Sequence, residues 1–219
     1  MTMNTPPAHP SSELIAQMAN DLTPVAPIRP ALAWAAVALA VVVTVMALSV
    51  VEGLWSGIAM GEASAYFFIV HGLLLVLGVA CTTNVIRMAR PQVGNDYSGA
   101  KWTVAMVAVL PFAALWSLIA APELFHSHSL AWGLGCVAAA TLSSSLTAGV
   151  LVAWLRRGAP VSLRAAGWQT GLAAGGLGTV AYALCCPIDD IVHLGIFHVV
   201  PVGITALLGA LIVPKLVRW

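Results

Sequence analysis

The stretch ALAWAAVALAVVVTVMALSVV, residues 31–51, is apolar almost throughout and carries no charge. An α-helix needs about 20 such residues to cross the ~30 Å hydrocarbon core of a bilayer. Arg29 lies just before the stretch and Glu52 follows it directly, so charge is confined to its two ends. The sequence therefore predicts a membrane-spanning helix over residues 31–51.

Five more stretches of the same kind follow along the chain: residues 66–86, 102–121, 130–154, 167–186 and 191–213. The chain is 60% hydrophobic and only 8% charged, a composition that excludes a soluble protein with a polar surface. The connections between the stretches are too short to contain a second folded domain. We therefore predict an all-α integral membrane protein, with an N-terminal segment at residues 1–29 and a bundle of six transmembrane helices at residues 30–219.

If the six stretches cross a bilayer in alternating directions, the connections between them divide into two groups, one on each side of the membrane. All nine Lys and Arg residues then fall on one side: Arg29, Arg87, Arg90, Lys101, Arg156, Arg157, Arg164, Lys215 and Arg218. The connections on the other side carry acidic residues instead: Glu52, Glu62, Glu123, Asp189 and Asp190. Positively charged connections stay in the cytoplasm, so both termini are predicted to be cytoplasmic in a multi-pass protein of the bacterial inner membrane. No basic cluster is dense enough to predict direct binding of nucleic acid.

The N-terminal segment contains a predicted short amphipathic helix over residues 13–20, with Ser11 and Ser12 as N-cap candidates. The helix should end in the run Asp21, Leu22, Thr23 and Pro24, because the residue before a proline disfavours helical geometry.

The same segment carries a narrow apolar stripe of Leu14, Ile15, Met18 and Leu22 at helical spacing. An isolated helix of this length is marginal in water. The stripe should therefore lie against another protein, the lipid surface or the bundle itself.

The fifth stretch is rich in glycine. Gly167, Gly171 and Gly175 repeat at a spacing of four, which places a smooth groove on one helix face and allows a neighbouring helix to approach closely. We interpret this groove as packing within the chain in preference to a dimer interface or a transport path. The serines 143–145 in the fourth stretch are similarly expected to bond to carbonyls of their own helix.

Four cysteines occur, and three of them lie toward the predicted non-cytoplasmic side. Cys81 is expected to be a small apolar filler, whereas Cys136, Cys185 and Cys186 fall at similar depth. Cys136 is able to form a disulfide with Cys185 or Cys186 if the two helices are neighbours, since the periplasm is oxidising.

Histidines and carboxylates surround these thiols, and thiolate with imidazole and carboxylate is a set that binds zinc or softer heavy metals. The further candidate ligands are His71, His126, His128, Asp189, Asp190, His193 and His198. Their spacing matches no known metal motif. His198 stands out, because an ionisable group inside a membrane is costly and normally faces a partner.

Several short motifs, in order along the chain, resemble the NrsF family of bacterial inner-membrane anti-sigma factors, the negative regulators of sigma F. They follow a short N-terminal helix and six crossings: Asp21-Leu22-Thr23-Pro24-Val25, Arg156-Arg157-Gly158-Ala159-Pro160, Cys186-Pro187-x-Asp189, His198 and Leu216-Val217-Arg218-Trp219. The resemblance spans nearly the whole chain; it is strongest over residues 156–219 and 21–25 and weak in the middle crossings.

The resemblance implies that the N-terminal segment binds an extracytoplasmic-function (ECF) sigma factor through Leu14, Ile15, Met18 and residues 21–24. It further implies release of the sigma factor on a redox or heavy-metal stress signal, linked to two cysteines that correspond to Cys136 and Cys186. The family pattern has a single cysteine after the fifth crossing, whereas this chain has two adjacent ones, Cys185 and Cys186. The predicted sensing set is Cys136, Cys185, Cys186, Asp189 and His198, and within it the metal candidates are Cys136, Cys186 and His198. No cofactor is expected.

A rival function is a small transporter or metal-handling permease in which His71, Cys136, Asp189 and His198 line a path. The inner halves of the predicted crossings contain almost no ionisable residue, and a path for ions normally needs polar groups through the whole thickness of the membrane. An enzyme is disfavoured as well, because the sequence contains no nucleophile with an obvious base, no nucleotide-binding loop and no metalloprotease motif. We therefore assign no catalytic residue.

Overall fold

A computed structural model describes residues 10–22, 29–90, 99–120 and 130–218, and all regular secondary structure within these ranges is helical. The α-helices are α1 (Pro10–Asn20), α2 (Pro30–Val51), α3 (Ser56–Met60), α4 (Ala65–Met88), α5 (Gly99–Ala120), α6 (Leu130–Ser143), α7 (Ser145–Leu155), α8 (Leu163–Ala183) and α9 (Val200–Leu216). A π-helical turn, His193–Phe197, precedes α9. The prediction of an all-helical protein is confirmed.

Five helical segments within the described ranges are long and apolar enough to cross a membrane: Pro30–Val51, Ala65–Met88, Lys101–Ala120, Leu130–Leu155 and His193–Leu216. They match five of the six predicted stretches to within a few residues. The remaining stretch corresponds to α8, whose glycines, Gln169 and Thr170 lower its average hydrophobicity. A sixth crossing therefore stays a prediction.

Helix α8 forms the centre of the bundle. Every residue from Thr170 to Thr179 is buried, and the helix packs mainly against α9 on one side and α4 on another. The low hydrophobicity of α8 fits this position, because a helix enclosed by other helices has little contact with lipid.

The glycines of α8 are the points of closest approach. A Cβ added at Gly171 would collide with the backbone of Thr205 and Ala206 in α9, and one added at Gly176 would lie 2.7 Å from the carbonyl oxygen of Leu74 in α4. Gly167 similarly faces Gly209. Small residues thus allow backbones to pack directly, as in other membrane helix pairs, and the predicted packing role of the glycine repeat agrees with this arrangement.

The fourth predicted stretch is divided into α6 and α7 at Ser144. The hydroxyls of Ser143 and Ser144 donate to the carbonyl oxygens of Ala139 and Ala140, at 2.7 and 2.9 Å. These are the bonds within the helix that were expected of the serines, and such bonds often bend a helix.

The N-terminal helix begins earlier than predicted, at Pro10. Proline fits the first helical position because its fixed φ suits the helix and its missing N–H is not needed there. Ser11 and Ser12 consequently lie inside the first turn, so their prediction as N-caps is wrong. The helix ends at Asn20, close to the predicted end.

Replacing Gly171 with alanine should destabilise the bundle by about 1–3 kcal/mol, because the new methyl group has no room against the backbone of α9. Gly203→Ala is the matched control, since a Cβ at Gly203 meets nothing within 4 Å. Thermal unfolding of both variants in the same detergent measures the difference. Equal melting temperatures for the two variants would contradict the packing described for α8.

Candidate functional site

Two thiols and two imidazoles meet toward one end of the described bundle. Cys136 belongs to α6, Cys186 follows the end of α8, His193 begins the π-helical turn and His198 directly follows it. One sulfur or ring nitrogen from each of the four residues lies within 4.8 Å of the others. All four side chains are at most 5% exposed. We call these four residues the Cys2His2 cluster.

The individual contacts in the Cys2His2 cluster are short. The sulfurs of Cys136 and Cys186 are 3.9 Å apart, and Cys186 Sγ lies 3.5 Å from Nε2 of His193. The hydroxyl of Tyr182 donates to Cys136 Sγ at 3.3 Å. All four cysteines of the chain are free thiols, so the pair is close without being bonded.

The π-helical turn places His193 and His198 on one side of the chain. Residues five apart in an α-helix lie about 140° apart around the axis. In a π turn the i→i+5 hydrogen bond makes five residues close to one full turn. The two rings therefore face the same region, with centroids 5.3 Å apart.

His71 of α4 fixes the orientation of His198. Nδ1 of His71 lies 2.8 Å from the carbonyl oxygen of Phe67, and because a carbonyl only accepts, Nδ1 carries the proton. In the neutral ring, Nε2 of His71 is then an acceptor, and it lies 2.9 Å from Nδ1 of His198. His198 therefore donates through Nδ1, which leaves its Nε2 with a lone pair. That nitrogen is fully buried and has no hydrogen-bond partner among the described residues.

Two carboxylates hold the connection that carries Cys186 and His193. Asp190 Oδ1 accepts the backbone N–H of His193 at 2.8 Å. Asp189 accepts from the backbone N–H of Ser64 and, at 2.7 Å, from its hydroxyl. Ser64 is the N-cap of α4 and accepts from the N–H of Phe67. Hydrogen bonds from Ser64 to Asp189 thus connect the segment after α8 to the start of α4, the helix that contains His71.

The four ligand-type atoms support two kinds of chemistry. Two sulfurs at this separation need only a small movement to form a disulfide, in which the bond length is about 2.04 Å. Two thiolates with two imidazoles also form a common ligand set for a tetrahedral metal ion. Cys186 is buried, but Pro187 beside it is exposed, so the Cys2His2 cluster lies close to the protein surface.

A family model described as the negative regulator of sigma F, NrsF, matches residues 18–219. The chain belongs to the NrsF family. A similar protein is the probable anti-sigma-F factor NrsF of Azospira oryzae, which is 29% identical over 160 residues that cover 70% of this chain and 72% of that protein. No solved structure matches the chain.

Membership in the NrsF family assigns the chain a regulatory role. A negative regulator of a sigma factor has a sigma factor as its partner, so the family implies a regulatory, non-enzymatic role. The resemblance predicted from the sequence motifs is thus confirmed at the level of the family.

The structure brings together three residues of the predicted sensing set, namely Cys136, Cys186 and His198. It separates the other two from them. Cys185 is half-buried and lies outside the Cys2His2 cluster, while Asp189 binds Ser64. Of the two adjacent cysteines, Cys186 is the neighbour of Cys136.

His193 and Tyr182 complete the surroundings of the thiols in this NrsF-family protein. The sequence marked His193 and His71 as candidate ligands but did not include them in the sensing set, and Tyr182 was missed. The spacing of five between His193 and His198 gave no signal, because it aligns two side chains only in a π turn. His126 and His128 lie outside the described residues.

The predicted sigma-binding residues that the structure describes lie on or directly after α1. Every side chain from residue 11 to 22 is exposed, including Leu14 (57%), Met18 (64%) and Leu22 (78%). Ile15 and Asp21 are exposed as well. Thr23 and Pro24 lie outside the described residues.

Mild oxidation with diamide should link Cys136 to Cys186, because these sulfurs are 3.9 Å apart. Each disulfide formed releases two electrons to the diamide and two protons. Mass spectrometry of the digested protein without reductant identifies the linked peptides. Cys185→Ser should still form the link and Cys186→Ser should not; a link from Cys136 to Cys185 in the unmodified protein would contradict the geometry.

Proposed function

We propose that the protein is a membrane-embedded anti-sigma factor that captures an ECF sigma factor through residues 1–29. A redox or heavy-metal signal at the Cys136–Cys186 pair then releases the sigma factor. The observation that carries the capture step is the exposed apolar stripe on and directly after α1 in a member of the NrsF family.

Helix α1 has the chemistry of a peptide that binds a groove. Leu14, Ile15, Met18 and Leu22 form one apolar stripe, and none of them is covered by the bundle. An amphipathic helix of this kind gains its stability by placing its apolar face in a groove of a partner. Since α1 has only 11 residues, it is marginal alone, and binding would supply the contacts it lacks.

The proposed orientation puts α1 in the cytoplasm, where a sigma factor is found. It relies on the distribution of Lys and Arg described above and on a sixth crossing formed by α8. In this arrangement the Cys2His2 cluster faces the periplasmic side of the inner membrane and α1 lies on the opposite side.

Helix α2 is the proposed link between the two ends. Its first residue, Pro30, follows the N-terminal segment, and Leu48 near its other end packs against the group formed by Cys136, Tyr182 and Cys186. A change in the spacing of the thiols would therefore alter the contacts of Leu48. Because α2 also packs along α7 and α8, a shift of α2 would change the position of the tail that it carries.

The transporter alternative receives no support from the geometry. Its four proposed path residues, His71, Cys136, Asp189 and His198, all lie toward one end of the described bundle. A path would need such groups along the whole length of the helices.

Introducing two charges into the stripe, with Leu14→Asp and Met18→Asp together, should weaken sigma-factor binding at least ~10-fold, since buried apolar anchors dominate such interfaces. Pull-down of the genome's ECF sigma factors with the full-length protein in detergent, followed by titration of the bound one, measures the loss.

The matched control is Ala16→Asp with Asn20→Asp. It adds the same charge at the same spacing of four on the opposite face of α1, because each residue turns the helix by about 100°. Binding should be nearly unchanged in this control. Equal losses in the two double variants would show that charge alone matters and would remove the stripe from the mechanism.

Single cysteines at exposed positions test the orientation. Glu62→Cys lies in the connection between α3 and α4, and Ser162→Cys lies just before α8. A membrane-impermeant maleimide added to intact spheroplasts should label Glu62→Cys and not Ser162→Cys, with both labelled after lysis. Labelling of Ser162→Cys from outside would invert the topology and contradict the proposed function.

A further inference from the structure

We infer that Cys136, Cys186, His193 and His198 form a tetrahedral site for one transition-metal ion of the zinc class. His71 acts as a positioning residue for this site. The inference deepens the sensing step of the proposed function, on which its regulatory meaning rests.

Two distances within the Cys2His2 cluster match those expected around a tetrahedral ion. With Zn–S bonds of about 2.3 Å and Zn–N bonds of about 2.05 Å, a tetrahedron places two sulfurs about 3.8 Å apart and a sulfur and nitrogen about 3.6 Å apart. The sulfurs of Cys136 and Cys186 are 3.9 Å apart, and Cys186 Sγ and His193 Nε2 are 3.5 Å apart. These two spacings match edges of such a tetrahedron, and all four ligand atoms lie within 4.8 Å of one another, so shifts of about 1 Å or less would place them around one ion.

The second observation is the nitrogen of His198. The hydrogen bond from Nδ1 to His71 leaves Nε2 with its lone pair free, and the residue is 0% exposed. A buried acceptor without a partner is costly, and a metal ion would satisfy it. Metal-binding histidines usually donate their second ring N–H to a neighbouring acceptor in this way, and His71 occupies that position.

Charge balance also favours a divalent ion in this place. Binding releases the two thiol protons to solvent, so two thiolates and two neutral imidazoles surround one M²⁺. The resulting centre has no net charge, which lowers the penalty for burying it in the membrane. The Tyr182 hydroxyl donates to Cys136 Sγ, a contact that becomes stronger when the sulfur is anionic.

The ligand set selects the class of ion. Two sulfurs with two nitrogens in a tetrahedron are typical of zinc, whereas magnesium and calcium prefer oxygen ligands. All four protein ligands close the coordination shell, and closed shells are found in structural and regulatory sites more than in catalytic ones. The role we propose for the Cys2His2 cluster is therefore to bind a metal ion and not to catalyse a reaction of a substrate.

The test uses the full-length protein, purified in detergent with its thiols reduced, and Co²⁺ as the probe. We expect one Co²⁺ per chain with the intense visible absorption of tetrahedral cobalt and a thiolate charge-transfer band. Cys136→Ser and His193→Gln should each lose or strongly weaken this spectrum. Cys185→Ser should keep it, as the matched control that removes the adjacent thiol.

His71→Gln tests the positioning role. The stoichiometry should remain one Co²⁺ per chain, while the affinity falls about 10- to 100-fold as for other residues that orient a ligand. Circular dichroism shows whether each variant keeps its helices, so that loss of binding is compared only among folded proteins.

Three outcomes overturn the site: folded wild-type protein that binds no Co²⁺ in stoichiometric amount, an octahedral spectrum, or a spectrum unchanged in both Cys136→Ser and His193→Gln. Pull-down of the sigma factor from the same preparations separates this failure from that of the proposed function. Capture without metal binding removes the metal site alone, whereas metal binding without sigma-factor capture removes the proposed function and leaves the site.

Discussion

Polar groups inside a membrane have no water to bond with, so they must satisfy each other. Part of the described bundle follows this constraint. The hydroxyls of Ser143 and Ser144 bond to carbonyl oxygens one turn earlier, and the buried histidines lie together with Cys136 and Cys186, whereas Cys81 packs separately in the apolar core. His71, His198, Cys136 and Tyr182 would each be unfavourable alone in hydrocarbon. Together they form a connected group in which most polar atoms have a partner.

Helix α8 provides the frame that holds this group. Its glycines bring the backbones of α4 and α9 close to it, so the helices that contribute His71 and follow His198 are fixed relative to the end of α8. Tyr182 lies in the last turn of α8 and Cys186 directly after it. The glycines of α8 therefore have two effects. They lower the hydrophobicity of the helix, and they allow the close packing that positions the side chains of the Cys2His2 cluster.

The sequence was sufficient for the parts of the fold that depend on the membrane itself. Length, apolar composition and the positions of charges predicted six spanning segments, and five of them coincide to within a few residues with helices that are long and apolar enough to cross a membrane. The spacing of Gly167, Gly171 and Gly175 predicted a packing face, and His198 stood out as an ionisable group inside a predicted crossing. These inferences need only local properties of the chain and the thickness of a bilayer, whereas the choice of Cys136 and Cys186 came from the resemblance to the NrsF family.

The composition of the site required three-dimensional information. The choice between Cys185 and Cys186 depends on how the chain leaves α8, and Asp189 proved to bind Ser64, 125 residues away. His193 and His198 lie on the same side of the chain only because the backbone between them forms a π turn. No periodicity in the sequence predicts this turn. Contacts between residues so far apart in the sequence result from tertiary packing, and they cannot be predicted from single residues and their spacing.

The π-helical turn has a consequence for the whole last helix. Such a turn takes up roughly one residue more than an α-helical turn, which advances everything after it by about 100° around the axis. The rotation that aligns the two histidines thereby also determines that Thr205 and Gly209 of α9 face the glycines of α8. The same rotation about the helix axis thus sets both the alignment of the two histidines and the packing of α9 on α8. A one-residue insertion or deletion in the π-helical turn would therefore rotate every residue of α9 relative to α8.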